Sequence, residues 1–414
     1  MMAKLYFPSK KIKVNGRQQQ SLWESERASM GAAIELSIAS LKAYAELYPH
    51  WGIAYSGGKD SSATTSFVLW AIQNGLVKRP ESLTVLYADT RQELPALFDT
   101  ATRFLAEIRA LGFEAKAVLP KLDHRFYVYI LGRGVAPPSN HFRWCTQKLK
   151  LDPMLAELER LHTNEGKRFI QLTGVRQGES ASRDAKIAIS CTSNGGECGQ
   201  GWFQAMGSQA LTATLAPLLH WRACWVWDWL YFWHSDKWAA VCGYERGHGF
   251  AYLSDIAAAY GDNEENRTGC VGCPLVSKDR ALEAMVKVKP ELAPLLEIRP
   301  LLDELKSYKW RLRKVAEKKK DGTTLARPQR IGPLTMAGRA YGLERILDIQ
   351  HRAGVDLVNE IEQTRIRELW DLNTWPEHWE GGLDDPENIM ADALIPVVSG
   401  RGTKVIEQLV LVSS

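Results

Sequence analysis

Residues 51–62 constrain the fold most, because a short apolar run of β type breaks at two adjacent glycines and continues into residues that start helices. Glycine admits backbone angles closed to other residues and leaves room for an oxyanion. The first N–H groups of a helix have no partners within it. The pattern therefore predicts a phosphate-binding loop between a strand and a helix, and a glycine turn capped by Asp60 is the alternative. The predicted nucleotide contacts of this loop are Ser56, Gly57, Gly58, Lys59, Asp60, Ser61 and Ser62.

The loop differs from the phosphate-binding loop of common nucleoside triphosphatases. In those proteins the glycines are spaced apart, and a hydroxyl residue that binds the metal follows the lysine. Here Gly57 and Gly58 are adjacent, and Asp60 follows Lys59. The sequence thus predicts a different nucleotide chemistry, in which Lys59 supplies a positive charge beside hydroxyl and backbone donors.

Length and composition indicate a globular protein of more than one domain. A chain of 414 residues is too long for one typical core, so we expect a domain of about 200 to 280 residues and a smaller one. The formal net charge of +4 does not by itself identify a partner. The most aromatic run, residues 225–233, is too short for a membrane span of about 20 residues, and no secretion signal is recognisable. We therefore expect a cytoplasmic protein without a membrane partner, whose seven cysteines are thiols or metal ligands rather than disulfides.

Strand-like and helix-like segments alternate after the loop. Crossovers of this length join parallel strands, and such sheets bind ligands at the carboxyl ends of their strands. The predicted fold class is α/β, a doubly wound, mostly parallel sheet with a helical C-terminal domain. Strands are predicted near residues 83–89, 114–119, 168–176 and 215–220, and residues 121–134 are predicted to be helical. The predicted parts are a helical segment at 1–50, a nucleotide-binding domain at 51–289 with a cysteine-containing insertion at about 184–213, and a basic, mainly helical domain at 290–414.

Further candidate residues lie at the ends of predicted strands. Asp89 and Thr90 end one strand, Gly174 and Arg176 end a later one, and Arg183 follows shortly after. At this edge of an α/β sheet, two guanidinium groups could hold a triphosphate or a DNA phosphate bidentately. Surface ion pairing of the two arginines with nearby acidic residues is the alternative.

Two other segments have a functional and a structural interpretation. The helix predicted at residues 224–233 carries several tryptophans, which favours core packing over a platform for stacked bases. Residues 306–330 are rich in lysine and arginine and contain only Glu317 and Asp321 as acidic residues. This basic run could follow a nucleic-acid backbone, and a solvated helix face is the alternative.

Several motifs resemble known families. The sequence SGGKDS at residues 56–61 resembles the PP-loop of the ATP pyrophosphatase superfamily. Motifs further along resemble the phosphoadenosine phosphosulfate reductase family: Ala88-Asp89-Thr90, Arg143-Trp144-Cys145-Thr146 with Leu149-Lys150, and Gly174-Val175-Arg176 through Glu179-Ser180 to Arg183. A looser C-terminal pattern resembles the DNA phosphorothioation proteins DndC and SspD: Gly332-Pro333, Arg339, Leu347, Gln350 and residues 360–370.

The resemblance implies an adenine nucleotide alpha hydrolase-like fold and an ATP pyrophosphatase activity. Such an enzyme would split ATP into AMP and pyrophosphate and adenylate a substrate, so that sulfur could be transferred to the DNA backbone. ATP and Mg2+ would be its cofactors. Its partners would be DNA, a cysteine desulfurase that donates sulfur, and other phosphorothioation proteins.

The resemblance also implies residue roles. Ser56, Lys59 and Ser61 would bind the β- and γ-phosphates, with N–H groups of the two glycines beside them. Asp60 would orient the loop or its metal, and Asp89 would lie near the adenosine. The two arginines would hold the α-phosphate or the acceptor, so the predicted catalytic residues are Lys59, Asp60, Arg176 and Arg183.

Cysteines occupy three places that hold a [4Fe-4S] cluster in relatives: Cys145, Cys270 and Cys273. The relatives have a further cysteine beside Cys145 where this chain has Trp144, so Cys198, or alternatively Cys191, would complete the four thiolates. Zinc bound by the same set and free thiols are the other interpretations. Whichever of Cys191 and Cys198 is not a ligand could carry persulfide sulfur.

Two other functions stay open. A sulfonucleotide reductase would bind a sulfated nucleotide in the same loop and reduce it with thioredoxin. Reductases of the family carry a catalytic cysteine in a C-terminal tail, whereas here no cysteine follows Cys273, and Glu197-Cys198-Gly199, which resembles that tail, lies in the middle insertion. The other open hypothesis is a nucleotide-regulated DNA-binding component without catalytic activity. Cys224 and Cys242, in apolar, helix-like surroundings, are expected to be inert core thiols.

Overall fold

The chain divides into two compact units, each assembled from separate segments. The computed structural model describes residues 30–163, 168–178, 204–206, 212–235, 238, 244–258, 260, 269–313, 321–323, 331–377 and 379. The first unit combines Met1–Ala88, Ala96–Val118 and Met154–Glu264, and the second combines Asp89–Pro95, Leu119–Pro153 and Glu265–Ser414. The domain boundary that the sequence suggests near residue 290 stays a prediction.

A six-stranded sheet forms the centre of the first unit. Its strands are β1 His50–Tyr55, β2 Ser82–Ala88, β3 Glu114–Val118, β4 Phe169–Leu172, β5 Gln204–Met206 and β6 Thr212–Leu215. Their order is β3-β2-β1-β4-β6-β5, and every neighbouring pair is parallel except β5 with β6. The predicted α/β class with a mostly parallel sheet is confirmed. Because β2 and β3 lie on one side of β1 and β4 on the other, the strand order reverses between β1 and β4, where a ligand crevice is expected.

Helices accompany this sheet: α1 Met30–Tyr44, α2 Lys59–Gln73, α3 Pro95–Ala110, α4 Asp152–Thr163, α5 Ala223–Phe232 and α6 Leu253–Ala258, with a 3-10 turn at Ala45–Leu47. The sequence of α3 explains its packing. Leu97, Ala101, Phe104 and Ile108 recur at intervals of three or four residues and are buried, so one face of the helix is apolar. β1 is buried between two parallel neighbours, as expected for a central strand.

A cluster of aromatic side chains joins α2 to α5. Phe67 and Trp70 lie with their ring centroids 5.4 Å from that of Trp229, and all three side chains are fully buried. The indole N–H of Trp229 donates to the Ser66 hydroxyl at 2.9 Å, so the polar atom of the ring is satisfied. The prediction that the tryptophans of residues 224–233 pack in the core is confirmed for Trp227, Trp229 and Trp233, whereas Trp225 is only partly buried.

The second unit is mainly helical. Its helices are α7 Arg280–Val288, α8 Ile298–Glu304, α9 Met336–Ala353 and α10 Glu360–Asp371, with 3-10 turns at Leu122–His124, Pro290–Glu297 and Tyr308–Trp310 and π-helical turns at Val128–Gly132 and Thr146–Leu151. The antiparallel strands β7 Arg311–Arg313 and β8 Ile331–Leu334 form a small second sheet. Thr335 caps the start of α9 and Gly354, at φ 63°, ends it, while Asn359 and Glu362 form a capping box at α10.

Three segments differ from their sequence-based predictions. The strand predicted at 215–220 is β6 and ends at Leu215, because Pro217 has no N–H for a ladder and the N–H of Leu219 turns back to the Ala216 carbonyl. The insertion predicted at 184–213 contributes β5 to the sheet. Residues 121–134 form a 3-10 turn and a π turn instead of one helix. Within the described residues, no helix is both long and apolar enough to cross a membrane.

Candidate nucleotide site

The predicted phosphate loop lies at the carboxyl end of β1. This strand ends at Tyr55 and α2 begins at Lys59, so the loop occupies the turn between them. β4 pairs in parallel with β1, and residues 173–176 leave its carboxyl end. The loop and the segment after β4 therefore share one edge of the sheet, at the point where the strand order reverses.

The two glycines of the loop have different roles. Gly57 has φ +73°, a left-handed conformation that favours glycine, and a Cβ on it would lie 3.3 Å from the Cβ of Ala101. Gly58 has φ −86° and ψ 161°, which any residue adopts, so the expectation of unusual angles is wrong for Gly58. Its carbonyl instead accepts the Ser62 N–H and the hydroxyls of Ser61 and Ser62, each at 2.9 Å. Gly58 thus starts α2 and ties the loop to its first turn.

The serines of the loop form a hydrogen-bonded group. The Ser56 N–H donates to the Ser61 hydroxyl at 3.1 Å, and the two hydroxyl oxygens lie 3.0 Å apart. Ser61 and Ser62 are buried, whereas Ser56 is exposed. Ser61 and Ser62 therefore maintain the shape of the loop, and Ser56 presents the hydroxyl that is accessible to a ligand.

Lys59 is surrounded by two aromatic rings and a carboxylate. Its ammonium lies 5.6 Å from the ring centroid of Tyr260, 5.9 Å from that of Trp227 and 3.1 Å from an Asp60 oxygen. Its backbone N–H donates to the Tyr260 hydroxyl at 2.8 Å. Sequence reasoning missed Tyr260, which stands 201 positions away and belongs to no motif, and assigned Trp227 to the core alone.

Asp60 and Arg176 form an ion pair. The Arg176 Nε donates to Asp60 Oδ1 at 2.5 Å, and Nη1 donates to the carbonyl of Trp221 at 3.1 Å. The side chains of Arg176 and Asp60 are 7% and 15% exposed, so water screens the pair only weakly. Surface ion pairing does not describe this arginine. Arg176 orients Asp60, whose other oxygen contacts Lys59.

Gly174 allows the close approach that this pair needs. A Cβ on Gly174 would lie 2.9 Å from the N and the Cα of Ser61. Only glycine therefore lets the segment after β4 pass this near to the first turn of α2. The role of Gly174 in the site is steric, since it brings Arg176 to Asp60.

Asp89 and Thr90 belong to the second unit, where they shape the turn after β2. Both are buried. Asp89 Oδ1 accepts the N–H of Arg91 at 2.9 Å, and the Thr90 hydroxyl donates to Glu93 at 2.6 Å. Burial raises the pKa of the Glu93 carboxyl, while the bond from Thr90 acts in the opposite direction. Contact of Asp89 and Thr90 with a nucleotide stays a prediction.

Three of the predicted thiol ligands lie in the second unit. Cys145 precedes the π turn Thr146–Leu151, and the N–H of Cys273 turns back to the Cys270 carbonyl at 3.2 Å. All three thiols are half-buried. The pKa of Cys270 is raised to about 12, chiefly by burial; Lys150 acts in the opposite direction, whereas Glu93, Cys273 and Cys145 are near enough to add to the rise. No three His, Cys, Asp or Glu side chains among the described residues are placed to hold a single metal ion.

Several predicted residues lie outside the described part of the chain: Glu179, Ser180, Arg183, Cys191, Cys198 and Cys242. Cys224, expected in the core, is exposed. That prediction is wrong because the buried stripe of α5 runs through Val226, Trp229 and Leu230, at helical spacing, and Cys224 lies off it.

The fold and the loop define a class of protein, an α/β nucleotide-binding domain whose phosphate loop lies where the strand order reverses. Residues 50–234 match the family model of the phosphoadenosine phosphosulfate reductase domain. This stretch, somewhat less than half of the chain, is therefore similar to a phosphoadenosine phosphosulfate reductase domain. At this level the predicted resemblance is confirmed.

Relatives and solved structures share only part of this chain. A stretch of 199 residues is 27% identical to an uncharacterized protein of Methanocaldococcus jannaschii, over 47% of this chain and 40% of that protein, so the chain spans less than half of its relative's length. Phosphoadenylyl-sulfate reductase from Candida auris, in a phosphate complex, is 12% identical with a TM-score of 0.31, over 49% of this chain and 86% of that one. FMN adenylyltransferase from Candida glabrata, with FMN and an ATP analogue, is 13% identical with a TM-score of 0.31, over 66% and 86%. The U34-tRNA thiolase NcsA from Methanococcus maripaludis, with its [4Fe-4S] cluster, is 11% identical with a TM-score of 0.28, over 76% and 89%.

Proposed function

We propose that this protein is an ATP pyrophosphatase that adenylates a substrate for sulfur transfer to the DNA backbone. One observation carries the nucleotide part: the loop between β1 and α2 combines the first N–H groups of α2, the exposed Ser56 hydroxyl and Lys59 at the reversal of strand order. The sulfur and DNA parts rest on the resemblance of the sequence to phosphorothioation proteins.

The loop suits a reaction that releases pyrophosphate. An acceptor oxygen attacks the α-phosphorus of ATP, the bond from that phosphorus to the bridging oxygen breaks, and the electron pair leaves with pyrophosphate. Negative charge then grows on the leaving group, where fixed N–H, hydroxyl and ammonium donors stabilise it most. A sulfur nucleophile next attacks the activated centre and AMP leaves. Lys59 and Ser56 would contact the leaving phosphates, while Asp60 and Arg176 keep the first turn of α2 in place.

Mg2+ would neutralise phosphate charge when bound with the nucleotide. Asp60 already uses Oδ1 for Arg176 and Oδ2 for Lys59, and the described side chains include no three-residue metal group. Mg2+ commonly takes most of its ligands from substrate phosphates and water. In this proposal the phosphates hold the ion, and Asp60 acts by positioning Lys59.

The three neighbouring thiols support a [4Fe-4S] cluster as a further part of the proposal. Cys145 and the pair Cys270 and Cys273 come from different segments and lie near one another. The ligands of such a cluster bind separate iron atoms and need not converge on one ion, and Cys198 or Cys191 would be the fourth. Iron, sulfide and absorbance measured after anaerobic purification test this, with Cys145→Ala expected to lose iron and Cys224→Ala to keep it. Colourless, iron-free wild-type protein would remove the cluster.

DNA would be held by the basic run 306–330, but not by every residue in it. Arg311 is buried and donates to the carbonyl of Gly332, and Lys306 pairs with Asp303 at 2.8 Å. Lys309 is exposed, with its ammonium 4.4 Å from the ring centroid of Trp310. If Lys309 contacts a phosphate, Lys309→Ala flattens the dependence of log affinity on log salt by about one unit. An unchanged slope would place the DNA elsewhere.

Product analysis by mass spectrometry tests the activity. The protein is incubated with ATP and Mg2+, with and without DNA and a persulfide donor, as wild type, Lys59→Ala and Lys78→Ala. Lys78 is an exposed lysine of the same unit outside the loop, so its variant is the matched control. The expected result is AMP and pyrophosphate from wild type and Lys78→Ala, and neither from Lys59→Ala. ADP as the product, or unchanged ATP in every mixture, would refute the proposed activity.

The matching family model favours a second candidate, reduction of a sulfated nucleotide. Sulfite released from phosphoadenosine phosphosulfate in the presence of thioredoxin would establish it. Phosphorothioate-linked dinucleotides in DNA digests would instead establish sulfur transfer to DNA.

A further inference from the structure

The Tyr260 hydroxyl occupies a position that a phosphate would use. Its oxygen accepts the N–H of Lys59 at 2.8 Å and lies 3.2 Å from the place of a Cβ on Gly58. The first helical hydrogen bond of α2 runs from Ser62 to Gly58, so the Lys59 N–H has no partner inside the helix. An N–H in this position is a typical donor to a phosphate oxygen. The phenol therefore accepts the bond that an anionic ligand would otherwise accept.

The ring of Tyr260 also holds the Lys59 side chain. Tyr260 is 4% exposed and packs edge-on against Trp227, with ring centroids 5.3 Å apart at 80°. The Lys59 ammonium lies within cation–π range of both rings and forms an ion pair with Asp60. Both the backbone and the side chain of Lys59 thus have protein partners without a ligand.

We propose that Tyr260 is a stand-in for a phosphate oxygen, which a diphosphate or triphosphate group displaces when it binds to the loop. The inference rests on the proposed function, because it concerns the same loop. A phosphate oxygen is charged and forms a stronger hydrogen bond with an N–H than a neutral phenol does. The anion therefore displaces the phenol. Its binding free energy is smaller than it would be without the phenol, by the free energy of the hydrogen bond that it replaces. In return, the loop keeps its N–H satisfied and its shape fixed while it is empty.

If the Tyr260 hydroxyl competes with the ligand, removing it should raise the affinity for the ligand instead of lowering it. Tyr260→Phe keeps the ring against Trp227 and Lys59 but removes the competing oxygen. Pyrophosphate with Mg2+, titrated calorimetrically, should then bind about 2- to 12-fold more tightly, the range that corresponds to one net hydrogen bond. A tyrosine that holds the ligand with its hydroxyl would give the opposite sign.

Tyr231→Phe is the matched control. Tyr231 stacks on the same Trp227, with ring centroids 5.8 Å apart at 28°, but it is 43% exposed, whereas Tyr260 is buried. This variant should bind pyrophosphate as the wild type does. Equal changes in both variants would mean that the effect comes from the aromatic packing and would overturn the inference.

Amide hydrogen exchange provides a second measurement. In ligand-free protein the Lys59 amide should exchange faster in Tyr260→Phe than in wild type, and saturating pyrophosphate should abolish the difference. Weaker or unchanged pyrophosphate binding in Tyr260→Phe overturns the inference. Tighter binding without any AMP production upholds the inference and refutes the pyrophosphatase activity. If wild-type protein does not bind pyrophosphate at all, the nucleotide site and the inference fail together.

Discussion

The ion pair between Asp60 and Arg176 should contribute measurably to the stability of the first unit. The pair joins the first turn of α2 to the segment after β4, with side chains that are 15% and 7% exposed. Removing one partner of a buried pair leaves an unpaired charge and typically costs about 3 to 5 kcal/mol. Since Lys59 still contacts Asp60 at 3.1 Å, we expect Arg176→Met to lower the free energy of unfolding by about 3 kcal/mol, the low end of that range.

A double-mutant cycle separates the pair from other losses. Asp60→Asn should also cost about 3 kcal/mol, because it leaves the guanidinium of Arg176 without its carboxylate. The double variant should cost only about 3 to 4 kcal/mol instead of the sum of about 6, which gives a coupling free energy of about 2 to 3 kcal/mol. The lost hydrogen bond from Arg176 to the Trp221 carbonyl cancels in the cycle, because both arginine variants lack it.

The assay is urea unfolding at pH 7, followed by the fluorescence of the buried tryptophans near the pair, Trp221 and Trp229. The slope of free energy against urea must agree among the four proteins for the comparison to be valid. Single-variant losses that add to within about 0.5 kcal/mol would refute the reasoning, because they would show that the two residues are independent.

Three further predictions concern single positions. Gly174→Ala places a methyl group against the first turn of α2 and should weaken ATP binding at least about tenfold. Gly269→Ala is the control, because nothing lies within 4 Å of its new Cβ, and it should bind ATP as the wild type does. Equal ATP binding by both variants would contradict the steric role of Gly174. Burial lowers the pKa of His220, whose Nε2–H donates to the Ala33 carbonyl. Below about pH 6.5 only the unfolded chain takes up this proton, so the free energy of unfolding should fall as the pH drops. His220→Gln should flatten this part of a plot of the urea midpoint against pH, and an unchanged plot would assign the loss to other groups. Arg339 is fully buried and donates to the carbonyls of Gly132 and Thr374. Arg339→Met should therefore lower the free energy of unfolding of the second unit by about 2 to 4 kcal/mol, measured by thermal unfolding. Arg339→Lys should not restore the stability, because lysine lacks the planar guanidinium with its several N–H donors.

Features encoded by neighbouring residues could be predicted from the sequence. The strand, the glycine turn and the helix start at residues 51–62 are local patterns, and the structure has β1, the loop and α2 in that order. The regular alternation of strands and helices likewise predicted the parallel sheet. Some segments have other bounds than the sequence predicted, and their causes are also local. Pro217, for example, ends β6 earlier than predicted, because it has no N–H for the strand ladder.

Contacts between residues far apart in the chain could not be predicted. Asp60 and Arg176 are 116 positions apart, and Lys59 and Tyr260 are 201 apart. The sequence identified Lys59, Asp60 and Arg176 as candidates because their side chains suit phosphate chemistry. It did not indicate that Arg176 binds Asp60 or that Tyr260 accepts the Lys59 N–H.

The sequence by itself therefore determined the class of fold, the position of the phosphate loop and the donor groups that the loop contains. The tertiary structure alone decided which of these groups are accessible to a ligand and which are already paired within the protein. The physical reason is that backbone conformation at a turn depends on the residues in it. The partner of a charged side chain depends instead on the packing of strands and helices from separate parts of the chain.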